Sequence, residues 1–410
     1  MGESFVGEIE TQQHAAARAP PDPRAAQAPA RPSPYDLYIE FQEVAALWTC
    51  ASDHPDELTY RCAFQSVEMG LALLADAAHD ERPAARREAR MAALAANVAA
   101  QVTLARRLVT GAPVPPSRMT PEAAISPGVR ALRGLGPTHR SLLAHISDAI
   151  LEAHFPIPLG IEPDLTRLRA EQGFAAPAAP SGPYLPYESW VQPERVASLV
   201  LRDPHSAEDR LFATVHQMTE CWLRLVLDRF VRAEAPARQG AWDEAAAHLE
   251  QASMILAFLV EHIELLHLMV VADYHPLRVA LRGASGAQSA AARVATVSAR
   301  QFVAPVQQAL EARGLTILDV DRFPHDHAGE HRYLEAVGTL ERRLMAFYFQ
   351  HFQLARKVLG TKSLGSLGFE VRALAERFTK PIFPEIDDAR FDHVMLTNLA
   401  HGGDAGRLIA

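Results

Sequence analysis

Cysteine is scarce in this sequence. The 410 residues hold three, Cys50, Cys62 and Cys221, none in a CxxC pair, which excludes a disulfide-stapled scaffold and a cysteine zinc site. Basic residues are not in excess. The net charge is -9, and a negative field attracts neither nucleic acid nor an anionic membrane. No uninterrupted apolar run approaches the roughly 18 residues of a membrane helix. The N-terminal MGESFVGEIE has early acids and no apolar signal core. A GxSxG elbow, a P-loop and a convincing dinucleotide glycine motif are missing as well. The expectation is a cytoplasmic globular protein with no membrane or nucleic-acid partner, long enough for more than one domain's worth of core.

Residues 1–33 are rich in Ala, Pro, Arg and Gln without periodicity and read as a disordered tail. A second such stretch, AAPAAPSGP, marks a linker at 173–183 between ordered regions 34–172 and 184–410. Apolar residues recur at three and four from Glu57 to Ala75, Arg86 to Leu108, Leu211 to Val231 and Trp242 to Met269. Ala, Leu, Arg and Glu support those helices by propensity. Alternating strand patterns are few, so the spacing predicts an all-α helical bundle.

An internal repeat underlies the bundle. DELTYRCAFQSVEM (56–69) registers on EDRLFATVHQMTEC (208–221) with Gln65 over Gln217, Tyr60 over Phe212, Phe64 over His216 and Glu68 over Glu220. A tyrosine-bearing stretch precedes each copy and an Arg–Gly turn follows each, which suggests two tandem related helical units.

Four places carry side chains suited to chemistry. His216 shares a helix face with Phe212 and Glu220. His351 lies in the aromatic run LMAFYFQHFQLARKVLG, where a neutral imidazole between apolar walls suits heme iron; a hydrogen-bonded core histidine is the plainer reading of both. Tyr274 and Arg278, one turn apart with Pro276 starting or kinking the helix between them, suit a carboxylate, or else a surface salt bridge. FPHDHAGEH (323–331) offers His325, Asp326, His327, Glu330 and His331, which are metal-ligand types in a spacing equally fit for a solvated loop.

Together these segments resemble the tryptophan 2,3-dioxygenase family of histidine-ligated heme proteins. HQMTECW (216–222) is similar to the family's His-Gln-x-x-Glu-Leu-Trp helix, with Cys221 in place of leucine. Tyr274, Arg278 and SGAQS (285–289) resemble its substrate segment, and HFQLARKVLGTKSLGSLG (351–368) the run from its heme-ligating histidine to a Gly-Thr-Gly-Gly-Ser loop. The likeness covers roughly 181–385. It implies heme b held by His351, Ser285 and Gly286 bordering the cofactor, His216 as the distal-pocket histidine and Phe212 as the wall beside it. It further implies that Arg278, Tyr274 and Ser366 bind the amino-acid end of the substrate. The implied activity is insertion of dioxygen into the indole C2–C3 bond of tryptophan or a derivative.

The departures are specific. Leu277 and Ala287 stand where the family has phenylalanine, and Leu367 replaces a glycine in a shorter loop. They leave room for a heme monooxygenase acting on tyrosine or a modified tryptophan, or for a non-catalytic heme or aromatic amino-acid binder. A family-like N-terminal Tyr-x-x-Tyr segment covers a neighbour's pocket. Tyr35 and Tyr38 match that spacing better than Ser181 and Tyr184. The expectation is a pseudo-dimer in one chain, its first unit heme-free and completing the second unit's pocket, with the whole chain forming a homo-oligomer such as a dimer of duplicated chains.

Overall fold

A computed structural model describes residues 32–80, 83–112, 126–178, 184–200, 207–281, 283–365, 368 and 370–400. Nearly all of the expected tail and residues 179–183 of the expected linker lie outside them. The described residues are helical, with no strand among them; one isolated bridge joins Leu364 and Glu370. The all-α expectation therefore holds.

The helices are α1 (Pro34–Tyr38), α2 (Phe41–Ala46), α3 (Glu57–Ala78), α4 (Ala84–Leu108), α5 (Pro127–Arg133), α6 (Arg140–Glu152), α7 (Glu162–Glu171), α8 (Tyr187–Trp190) and α9 (Pro193–Val200). They continue as α10 (Ala207–Arg238), α11 (Trp242–Ile263), α12 (Val271–Ala280), α13 (Ala290–Ala299), α14 (Val303–Glu311), α15 (Ile317–Arg322), α16 (Ala328–Leu359), α17 (Glu376–Thr379) and α18 (Pro384–Ala400). Two differences from the sequence reading have plain causes. Pro276 does not start its helix; α12 begins at Val271 and runs through it, because removing one N–H does not break a helix, though it can kink one. The run Trp242–Leu268 is, by length and composition, apolar enough to cross a membrane. It is apolar because α11 is the central helix, packed between α10 and α16.

One buried core extends from Tyr35 to Ile386, so residues on both sides of the expected linker share it. Helix α3 is buried almost throughout, and several of its polar residues bond within the core. Arg61 pairs with Glu57 at 2.6 Å and donates to the Trp190 carbonyl at 2.7 Å. Helix α10 packs on both α3 and α11. Trp222 fixes its rotation by donating to Ser66 Oγ at 3.1 Å and Gln101 Oε1 at 3.3 Å. Two acids in its first turn, Glu208 and Asp209, suit the positive end of a helix. This packing turns the His216 face of α10 toward α16 and the Gly286–Gln288 turn.

Candidate active site

His216 is buried at mid-α10. Its Nδ1 lies 2.7 Å from the Phe212 carbonyl one turn earlier. A carbonyl only accepts, so Nδ1 carries the proton and Nε2 presents a bare lone pair. Burial lowers the imidazole to about 4, which keeps it neutral at physiological pH. Phe212 stacks obliquely on the ring at 4.3 Å between centroids.

His351 stands in the last third of α16 and meets His216 across one glycine. A Cβ built on Gly286 falls 2.6 Å from His216 Nε2 and 2.8 Å from His351 Nε2. The two rings thus converge where only a hydrogen side chain fits. Burial lowers His351 to about 4, helped by His216 and Arg377. The small pocket beside it is walled by Phe347, Tyr348, Leu374, Ala287 and Arg377. Arg377 lies over the Tyr348 ring at 5.8 Å. Ser285 accepts from the Ala287 N–H and begins the turn that holds Gly286 there.

The N-terminal tyrosines reach this site within the same chain. Tyr35 sets its ring edge-on to His216 at 5.6 Å and donates its hydroxyl to Glu220 Oε1 at 2.8 Å. Its backbone N–H donates to Gln288 Oε1 at 3.1 Å, tying α1 to the glycine turn. Tyr38 packs edge-on to Phe212 at 5.8 Å and donates to the Asp209 carboxylate. Glu220, one turn from His216, is fully enclosed, and desolvation pushes its carboxyl up to about 7. The sequence reading placed Glu220 on the His216 face without a role. Its counterpart Glu68 in the repeat was the signal that it matters.

Helix α12 brings Tyr274 and Arg278 to the rim. Tyr274 is buried, and desolvation raises its phenol. Arg278 donates Nη2 to the Leu364 carbonyl at 2.8 Å, docking α12 on the loop after α16. Among the described residues it has no carboxylate partner. Ser366 and Leu367 of that loop lie outside the described residues. The FPHDHAGEH residues do not converge: the run spans a turn and the start of α16. No group of three ligand-type side chains suited to a metal ion occurs among the described residues.

Phe64, the repeat counterpart of His216, sits in a packed aromatic cluster. Phe155 lies 5.4 Å, Tyr187 6.0 Å and Tyr60 6.3 Å from its ring. The Tyr–Glu bond of the His216 site also recurs. Tyr187 donates to Glu68 at 2.8 Å, and Ser126 and the Gly128 N–H donate to the same carboxylate. The Gln65–Gln217 register carries Tyr35 onto Tyr187, so Tyr187 and not Ser181 or Tyr184 corresponds to Tyr35. The Tyr-x-x-Tyr spacing at 184–187 signalled it. Tyr35 thus meets the glutamate of α10, and Tyr187 that of α3.

No protein-family model matches this chain, and no curated protein sequence matches it.

Proposed function

We propose that the chain is a histidine-ligated heme oxygenase of the tryptophan 2,3-dioxygenase type, built from two tandem units, with one site per chain and a tryptophan-like substrate. The observation that carries this reading is the meeting of two neutral histidines, His216 and His351, across Gly286. The reciprocal Tyr35–Glu220 and Tyr187–Glu68 bonds support the tandem units.

The residues fit a heme in donor chemistry. His351 is a neutral imidazole in an apolar wall, Gly286 is a cradle that a Cβ would fill, and Arg377 offers a cation for a carboxylate. Bound heme would supply the dioxygen chemistry. Gly286 packs so closely on both rings that an added Cβ would meet each, so taking up the cofactor requires the Ser285–Gln288 turn to withdraw.

The protein's own part is positioning. Arg278, with no acidic partner among the described residues, grips the substrate carboxylate beside Tyr274. Each charge-assisted bond there contributes about 1.5–3 kcal/mol. Phe212 and Tyr35 wall the ring of the substrate. His216 Nε2 accepts a hydrogen bond from an indole N–H. With its imidazole held near 4, His216 is too weak a base to take that proton at neutral pH and orients instead.

The test is to load the protein with heme, reduce it, add L-tryptophan and air, and weigh the product. A gain of two oxygen atoms is expected. A protein that takes up no heme overturns the reading. A gain of one oxygen atom, on tryptophan, a substituted tryptophan or tyrosine, supports the monooxygenase reading instead. That alternative is favoured by Ala287, which lines the cavity where the resembled family has phenylalanine.

A further inference from the structure

A second cleft, open to solvent, lies between the α3–α4 corner and the segment leading into α12, and shares no lining residue with the His351 cavity. Met269 and Val271 give it apolar surface, and Arg86, Arg87 and Arg90 line it together with one acid, Asp80.

The three arginines differ. Arg90 is buried and committed to Asp80 at 3.4 Å and Glu208 at 3.1 Å, which neutralises it and stiffens the wall. Arg87 donates Nη1 to the Asp80 backbone carbonyl at 3.2 Å, and its Nε is buried without a partner. Arg86 is exposed. Among the described residues neither Arg86 nor Arg87 has a carboxylate partner. Both stand in the first turn of α4, which contains no acid. The positive end of a helix disfavours cations, so two guanidiniums there gain from a bound anion.

We propose that this cleft binds an amphipathic carboxylate. The carboxylate is received by the guanidiniums of Arg86 and Arg87, and its apolar body lies on Met269 and Val271. The site is independent of the heme reading. Val271 is also the first residue of α12, three residues before Tyr274.

Calorimetric titration of the full chain with octanoate tests the proposal, with inorganic phosphate as the comparison. One octanoate per chain is expected, with phosphate at least about tenfold weaker because it cannot use the apolar surface. The double variant Arg86→Ala/Arg87→Ala is expected to weaken octanoate about tenfold or more without a change in melting temperature. Arg86→Lys/Arg87→Lys restores part of the affinity. Arg278→Ala leaves it unchanged. The proposal is overturned if octanoate does not bind, if phosphate binds as tightly, or if the double alanine variant binds like the parent. Loss of binding in Arg278→Ala alone assigns the ligand to the His351 side and overturns it too.

Discussion

A carboxyl group enclosed as fully as Glu220 must ionise at a cost or keep its proton. It is 1% exposed, and its carboxyl is raised to about 7. A raised acid contributes stability that is complete below its unfolded value near 4.5 and is lost as pH rises through 7. Glu220→Gln keeps an oxygen for the Tyr35 hydroxyl and cannot ionise. Relative to the parent it should gain stability as pH rises from about 5 to about 8, by up to about 3 kcal/mol at roughly 1.4 kcal/mol per unit. Urea unfolding at those two values measures this, and a difference that does not change with pH refutes it. His216 and His351 titrate in the opposite sense. Both are lowered to about 4, so they favour the folded state above their unfolded value of 6.5 and lose that contribution as pH falls toward 4. On the proposed function their substitutions also separate. His351→Ala should abolish heme binding, whereas His216→Ala should keep heme and alter the turnover rate. A heme titration followed by its absorbance decides this, and full occupancy in His351→Ala refutes the ligand assignment.

The Ser285–Gln288 turn is the element on which the site closes. Three contacts hold it: the Ser285 cap on the Ala287 N–H, the Gln288 bond to Tyr35, and the fit of Gly286 between two imidazoles. Gly286→Ala places a methyl group in hard contact with both rings. It should cost about 1–3 kcal/mol of stability by overpacking and reduce heme uptake; thermal melting and the same titration measure both effects. Much of this element scale was legible beforehand. The three-and-four spacing of Leu58, Cys62, Met69 and Leu73 marks α3, and the same rule puts Phe212, His216 and Glu220 on one face. Helix ends were less legible. Helix α10 runs from Ala207 to Arg238, beyond the periodic stretch that ends at Val231, because polar last turns can extend a helix without apolar periodicity. The approach of Gly286 to His216 was not legible, since it joins residues seventy positions apart through the packing of whole helices. Tyr187 was missed for the same reason: its hydroxyl meets Glu68, which a local reading does not connect to it.

At the scale of the molecule, the two Tyr–Glu bonds are alike in geometry and unlike in surroundings. Tyr35 and Tyr187 are both buried, and each donates to an enclosed glutamate at 2.8 Å. Desolvation raises both glutamates. Beside Glu220 stands His216; beside Glu68 stands Phe64 among Phe155, Tyr60 and Tyr187. On the proposed reading the first copy has become support and the second has kept the chemistry. Heme titration should then saturate near one per chain, and two per chain would refute the division. Removing either hydroxyl takes one donor from a buried acid, while Ser289 remains for Glu220 and Ser126 and the Gly128 N–H remain for Glu68, so Tyr35→Phe and Tyr187→Phe should each cost about 1 kcal/mol. Their effects on the site should differ. Tyr35 touches the His216 ring and the Gly286 turn, so Tyr35→Phe should change substrate affinity and the absorbance of the heme-loaded protein. Tyr187→Phe should leave both unchanged at a matched loss of stability. Equal effects of the two variants on the heme spectrum would mean that the first copy shares in the chemistry it is proposed only to support.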